Sequence, residues 1–216
     1  MELVHSRPTE GRRTDRPDAS ISVPDWTLVG HRAHAVQFYQ DDAFLAELLS
    51  RFVGASLVTG DSAIVVATAR HREAVAERLK SRGFDLAVPE KQRRYIPLDA
   101  ATTLSKFMRG GMPDQILFNE LVGPVVEDAR DAARGGRGRI AAFGEMVALL
   151  WAEGNIEAAL QLEELWNRIA EIYSFSLCCA YPMSGFIGNP HAAPFLKICA
   201  QHTHVFPAER PRSSRF

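Results

Sequence analysis

The chain has 216 residues, 46% of them hydrophobic and 24% charged, and 25 Lys and Arg against 26 Asp and Glu give a formal net charge of −1. At roughly 100–200 residues per domain this fits one folded domain with tails, and it excludes wholesale disorder. The cationic surplus of a nucleic-acid or anionic-membrane binder is absent, so neither direct nucleic-acid nor membrane binding is expected. No apolar run approaches the ~18 residues of a membrane span and the N-terminus has no signal-peptide core, so a cytoplasmic location is expected. The three cysteines, Cys178, Cys179 and Cys199, cannot all pair internally and form no CxxC, which argues against a disulfide scaffold.

Residues 1–29 read as a disordered arm, with Arg7, Pro8, Arg12, Arg13, Arg16, Pro17 and Pro24 among too few apolar groups to offset backbone ordering. Residues 30–206 form the body, and 207–216 read as a flexible tail. The body opens with an apolar strand, His34–Tyr39. Asp41-Asp42 then offers an N-cap for a helix whose Phe44, Leu45, Leu48, Leu49 and Phe52 share one face. Ala63–Thr68 is a β-branched strand buried on both sides, followed by a helix from about His71 to Ser81 that Gly83 stops. Tyr95–Leu98 is a third strand, placed at or near an edge by Pro97.

Leu104–Met108 predicts a short helix ended by Gly110-Gly111. Pro113 suits the first turn of the next helix, which Gly123-Pro124 should bend or divide before Ala133. A basic turn over Arg134–Arg139 leads to a fourth strand, Ile140–Phe143, then a helical segment Met146–Trp151 stopped by Gly154. Asn155 caps a long amphipathic helix that turns Ile156, Leu160, Leu165, Trp166, Ile169 and Tyr173 inward. Phe175–Tyr181 is a fifth strand, Pro194–His202 a last helix, and His204–Phe206 a short final strand. The alternation predicts an α/β fold of three layers, a mainly parallel sheet with helices on both faces.

In such a sheet a ligand pocket is expected beyond the carboxyl ends of the strands, which selects Tyr39, Gln40, Thr68, His71, Asp99, Glu145 and Tyr181 as ligand-binding candidates. The first strand–helix turn, Tyr39-Gln-Asp-Asp42, has no glycine and no lysine, and its two carboxylates repel phosphate, so it is no phosphate cradle.

His34-Ala-Val-Gln-Phe-Tyr39, Gly60-Asp-Ser-Ala-Ile-Val-Val-Ala-Thr68, Leu98-Asp99-Ala100, Gly111-Met-Pro-Asp114, Ala142-Phe-Gly-Glu-Met-Val147, Leu162-Glu-Glu-Leu-Trp-Asn167 and Cys179-Ala-Tyr-Pro182 resemble the MEDS family of prokaryotic sensory domains over roughly residues 31–207. The resemblance implies a relative of the RecA/KaiC-type ATPase fold without its phosphate loop. It also implies a sensor of small hydrocarbon derivatives, of a kind often fused to histidine-kinase or DNA-binding modules. With about ten residues following the body, the signal is expected to pass to a separate protein, a histidine kinase or a regulator.

Glu145 ends an apolar strand, where a carboxylate needs a partner. It reads either as a ligand or proton-handling group or as a structural hydrogen-bond acceptor. His34 opens the first strand, at the end opposite the expected pocket. Cys178 and Cys179 point to opposite sheet faces and read as small buried hydrophobes. His202, His204 and Cys199 hint at a metal, but structural zinc needs four well-spaced ligands, so no metal and no cofactor are expected. Trp151 and Trp166 read as core residues, with a pocket wall as the alternative. No Gly-x-Ser-x-Gly elbow or HExxH motif occurs, and no catalytic residue is assigned. The expected function is a stand-alone sensory module binding a small organic ligand. The alternatives are a ligand-independent adaptor of a histidine-kinase or anti-sigma pathway and a residual nucleotide binder. The exposed side of the long helix could also serve a homo-oligomer.

Overall fold

The structure, a computed structural model, describes residues 32–133, 138–186 and 192–209. The expected arm over 1–29, most of the basic turn (134–137) and the end of the tail (210–216) lie outside the described residues. In chain order the elements are β1 (His34–Tyr39), α1 (Asp42–Val58), β2 (Ser62–Ala67), α2 (Ala69–Ser81), α3 (Ala87–Lys91), β3 (Tyr95–Asp99) and α4 (Ala100–Phe107). A two-strand hairpin of β4 (Met108–Arg109) and β5 (Met112–Pro113) leads to α5 (Gln115–Ala132), β6 (Ile140–Gly144), α6 (Met146–Ala152) and α7 (Ile156–Tyr173). The chain continues through β7 (Ser176–Pro182), a 3₁₀ turn (Met183–Phe186), α8 (Ala192–Gln201) and β8 (His204–Phe206).

Six strands form one sheet in the order β3-β2-β6-β7-β1-β8, every neighbouring pair parallel. Parallel neighbours require long crossovers, and the intervening helices supply them. The sheet separates two cores by the period-two alternation of its strands. Ala63, Val65, Phe143, Cys178 and Ala180 face α1 and α2, where Leu45, Leu48, Leu49, Val75 and Leu79 cover them. Val36, Phe38, Ile64, Val66, Leu177, Cys179 and Tyr181 face the helices α4 to α8. Cys178 and Cys179 therefore point to opposite faces, as their adjacency requires. β3 is an edge strand, consistent with Pro97.

Local chemistry sets the element ends. Asp41 caps α1 by accepting from Ala43 N, Asn155 caps α7 by accepting from Ala158 N, and Asp114 caps α5 by accepting from Ile116 N and Leu117 N. The Asp114 cap moves the start of α5 past Pro113, which instead ends the hairpin whose turn residues Gly110 and Gly111 adopt φ of 57° and 84°. Asp99 accepts from Thr102 N, so α4 begins at Ala100 rather than at Leu104.

Gly123-Pro124 does not divide α5. The helix runs unbroken through the pair because Phe118, Val122, Val126 and Ala129 bury its inner face along its whole length. Gly123 serves close approach, since a Cβ there would lie 3.1 Å from the Tyr173 hydroxyl. The short α3 and the β4–β5 hairpin carry too few residues for periodicity to reveal.

Phe118 sits edge-on to both Phe107 and Trp166, with ring centroids 5.2 Å away in each case, at the centre of the larger core. Phe118→Ala is expected to cost about 3–5 kcal/mol of stability through lost burial and the cavity left behind, read as a lowered urea midpoint with the slope unchanged.

Candidate functional site

Four of the seven sequence-selected residues meet at the carboxyl ends of the strands on the α1–α2 face. Glu145, following β6, is 4% exposed and has both oxygens engaged. Its Oε1 lies 2.7 Å from His71 Nδ1, and its Oε2 accepts from Thr68 N at 2.8 Å. A buried carboxylate needs such partners, and they tie the β6 end to the start of α2. The Tyr39 ring stands edge-on to His71, with ring centroids 6.1 Å apart. Asp42 Oδ1 approaches His71 Nε2 at 3.5 Å, while Asp42 Oδ2 pairs with Arg70 at 2.6 Å. Burial, then the charges of Glu145 and Asp42, push the Tyr39 phenol well above its ordinary range, so it stays protonated.

The other three residues lie elsewhere. Asp99 is the N-cap of α4 and pairs with Arg72 at 2.9 Å, and its hydrogen bonds from Thr102, with the Arg72 charge, hold its pKa below the usual value. Gln40 is exposed, and its backbone N–H donates to the Glu209 carboxylate at 3.0 Å. Tyr181 lies on the opposite sheet face, fully buried, and its hydroxyl donates to Glu163 Oε1 at 2.8 Å. Burial and the Glu163 charge push its phenol up. One pocket holding all seven is thus not what the fold builds, because Tyr39 and Tyr181 sit on strand positions of opposite parity.

The β1–α1 turn is saturated with carboxylates. Asp41 accepts from Ala43 N at 2.7 Å, and Glu209 accepts from Gln40 N at 3.0 Å and from Asp41 N at 2.6 Å. Gln37 Nε2 donates to the Pro207 carbonyl at 3.0 Å, so the first residues of the expected tail lie against β1. The amides that would meet a phosphate in an ATPase of this shape already have anionic partners.

The described residues also line an apolar cavity of about 200 Å³ on the other face. Its floor is Ile64, Val66, Leu98 and Ala142 of the sheet; α4 contributes Thr103 and Lys106, α5 contributes Leu121, Val122, Val125 and Val126, and Met146 and Trp166 complete it. Trp166 therefore serves as core and pocket wall together, and its indole N–H has no hydrogen-bond partner among the described residues. None of the seven selected residues lines this cavity. The pocket-wall alternative for Trp166 was the signal the sequence offered for this cavity. Trp151, by contrast, donates its indole N–H to the Gly185 carbonyl at 2.8 Å.

Comparison with known proteins agrees with this architecture. The model of the MEDS family, described as MEthanogen/methylotroph, DcmR Sensory domain, matches residues 33–190. Among solved structures the chain is similar to a KaiC-like protein of the hyperthermophilic archaeon Pyrococcus horikoshii OT3, with a TM-score of 0.52 and 11% identity over 90% of this chain and 83% of that one. That likeness establishes the RecA/KaiC-like α/β fold. No curated protein matches the chain. Among the described residues no helix is long and apolar enough to cross a membrane.

His71 gives the strand-end cluster its pH dependence. Burial is the largest influence on the imidazole and opposes its charged form, but the hydrogen bond and charge of Glu145, with those of Asp42, outweigh it and raise the pKa above the ordinary 6.5. A raised folded-state pKa contributes stability in full below the unfolded value and loses it as pH climbs through the folded value. Compared with His71→Gln, the wild type is therefore expected to hold its largest advantage in melting temperature below about pH 6.5, shrinking toward alkaline pH. Thermal melts of both proteins from acid to alkaline buffer check this.

Proposed function

Because the chain belongs to the MEDS family of methanogen/methylotroph DcmR sensory domains, we propose that it senses a small, largely apolar organic molecule and relays the signal to a separate protein, a histidine kinase or a regulator. The observation that carries this reading is the apolar cavity between the sheet and the helices α4, α5, α6 and α7. Protein interiors hold few voids larger than a water molecule, and an unfilled one weakens the fold. A cavity of about 200 Å³ exceeds the ~150 Å³ that accepts benzene and falls below the ~300 Å³ at which drug-sized pockets begin. The ligand class is therefore a molecule of a few heavy atoms, such as a short hydrocarbon derivative. The unpartnered Trp166 N–H favours one that carries a single hydrogen-bond acceptor.

The walls explain how occupancy becomes a signal. α4 and α5 contribute half of the lining side chains, and one of them, Lys106, is exposed. A ligand that wedges these helices against the sheet alters the surface of α4 and α5, where the partner is proposed to dock. In the strand-end cluster both oxygens of Glu145 are engaged within the protein, by the Thr68 N–H and by His71 Nδ1, which favours a structural tie between β6 and α2 over a ligand site. A nucleotide-binding role gains no support from the β1–α1 turn, whose amides are satisfied by Asp41 and Glu209.

A ligand that binds only the folded state raises stability by about 2.7 kcal/mol at a hundred times its Kd. A thermal-shift panel of chlorinated methanes, short alcohols and aldehydes, and toluene is expected to raise the melting temperature of the wild type. Ala142→Leu, which fills the cavity from the sheet side, is expected to stay folded and lose the response. A wild type indifferent to the whole panel, yet capturing its partner without any additive, would replace the sensor with the ligand-independent adaptor.

A further inference from the structure

Four potential metal ligands converge behind β1 and β7, away from the apolar cavity. His34 opens β1, Glu163 lies on the inner face of α7, Cys179 is central in β7, and His202 follows α8. The side chains of Glu163 and His202 are 0% exposed and that of His34 is 4% exposed. His34 Nε2 lies 3.3 Å from Glu163 Oε2 and 3.4 Å from Cys179 Sγ. Cys179 Sγ lies 3.3 Å from Glu163 Oε2, and His202 Nε2 lies 3.4 Å from the same oxygen. All four ligand atoms lie within 4.8 Å of one another. A tetrahedral cation with bonds of about 2.0–2.3 Å has ligand–ligand edges of about 3.3–3.8 Å, which four of the six ligand pairs match, the other two lying within 4.8 Å.

The outer contacts decide which ring nitrogen faces inward. Asn167 Nδ2 donates to the Gln201 carbonyl and to Gln201 Oε1, both at 3.1 Å, which leaves Asn167 Oδ1 as an acceptor 2.8 Å from His34 Nδ1. The Ile198 carbonyl, an acceptor only, lies 2.7 Å from His202 Nδ1. Both imidazoles thus hold their N–H on Nδ1 and turn Nε2 inward with its lone pair free, the arrangement that ligating histidines use. The second carboxylate oxygen of Glu163 is held by the Tyr181 hydroxyl.

Hydrogen bonding alone leaves this cluster short of donors. With both rings neutral, the thiol proton of Cys179 is the one hydrogen directed at two imidazole nitrogens and a carboxylate oxygen. His202 Nε2, fully buried, has no hydrogen-bond partner among the described residues. A divalent cation resolves this, because thiolate, carboxylate and two neutral imidazoles bring its net charge to zero where a buried charge is costly. Two nitrogens, one sulfur and one oxygen form a borderline donor set, and four protein ligands leave no open position.

We propose that His34, Glu163, Cys179 and His202 form a closed, four-coordinate site for a borderline divalent transition-metal cation, zinc(II) foremost. Its role is to fasten the C-terminal α8–β8 segment, through His202, to the β1–β7–α7 body. His204 and Cys199 take no part. The site does not depend on the ligand proposed for the cavity.

The test uses the untagged full-length chain, purified under reducing conditions from zinc-supplemented growth. Elemental analysis is expected to find about one zinc per chain. After chelation, cobalt(II) is expected to give the intense visible bands of a tetrahedral centre together with a near-ultraviolet thiolate-to-cobalt band. Cys179→Ser is expected to abolish the thiolate band, while Cys178→Ala and Cys199→Ser keep it. Asn167→Ala, which frees the His34 ring, is expected to weaken zinc binding about ten- to a hundredfold. Should Cys179→Ser fail to fold, X-ray absorption of the wild type still decides, through one sulfur and two imidazoles around the zinc. A folded wild type with background metal and no thiolate band overturns the site, as does a cobalt spectrum unchanged in folded Cys179→Ser. Either result leaves Glu163 as a buried ion pair with the histidines.

Discussion

A carboxylate enclosed between a sheet and its helices must be met by donors or cations, and the described residues enclose two, Glu145 and Glu163. They lie on opposite faces of the sheet and organise most of what is polar inside it. Glu145 recruits His71 and the Thr68 amide, which fastens the start of α2 to the end of β6. Glu163 draws together His34, Cys179, Tyr181 and His202 from β1, β7 and the segment after α8. The apolar cores supply most of the free energy of folding, and these two carboxylates specify how the elements register on them.

The same chemistry fills the β1–α1 turn. A phosphate loop works by presenting bare backbone N–H groups at a helix start. Here Asp41 and Glu209 occupy those groups, and Glu209 arrives from the far end of the chain beside β8. What the fold offers a ligand instead is the apolar space under α4 and α5. The small apolar ligand proposed above fits this combination of an occupied turn and an apolar cavity.

Much of the fold was legible in local patterns. Continuous apolar runs at Ala63–Ala67 and Ile140–Phe143 marked strands buried on both sides, and Pro97 marked an edge strand. Asp41 and Asn155 marked helix starts because capping depends on a few neighbouring atoms. Legibility failed where tertiary burial outweighed a local preference, as at Gly123-Pro124, where one well-buried face carries α5 through the proline. It failed again for elements too short to show a period, such as α3 and the β4–β5 hairpin. The candidate site was half legible. The strand-end rule gathered Tyr39, Thr68, His71 and Glu145, but it also included Tyr181, whose side chain emerges on the other face.

The amino-acid order by itself determined the alternation of strands and helices, the family, the missing phosphate loop and the opposed directions of Cys178 and Cys179. All of these follow from contacts a few residues apart or from motifs read in line. Only the tertiary structure decided that His34, Glu163, Cys179 and His202 converge and that an apolar cavity lies under α5. Glu163 and His34 are separated by well over a hundred positions, and no spacing rule connects them. Strand order brings them together: β7 and β1 are neighbours although distant in the chain, because parallel pairing is set by the packing of the crossover helices and not by sequence proximity.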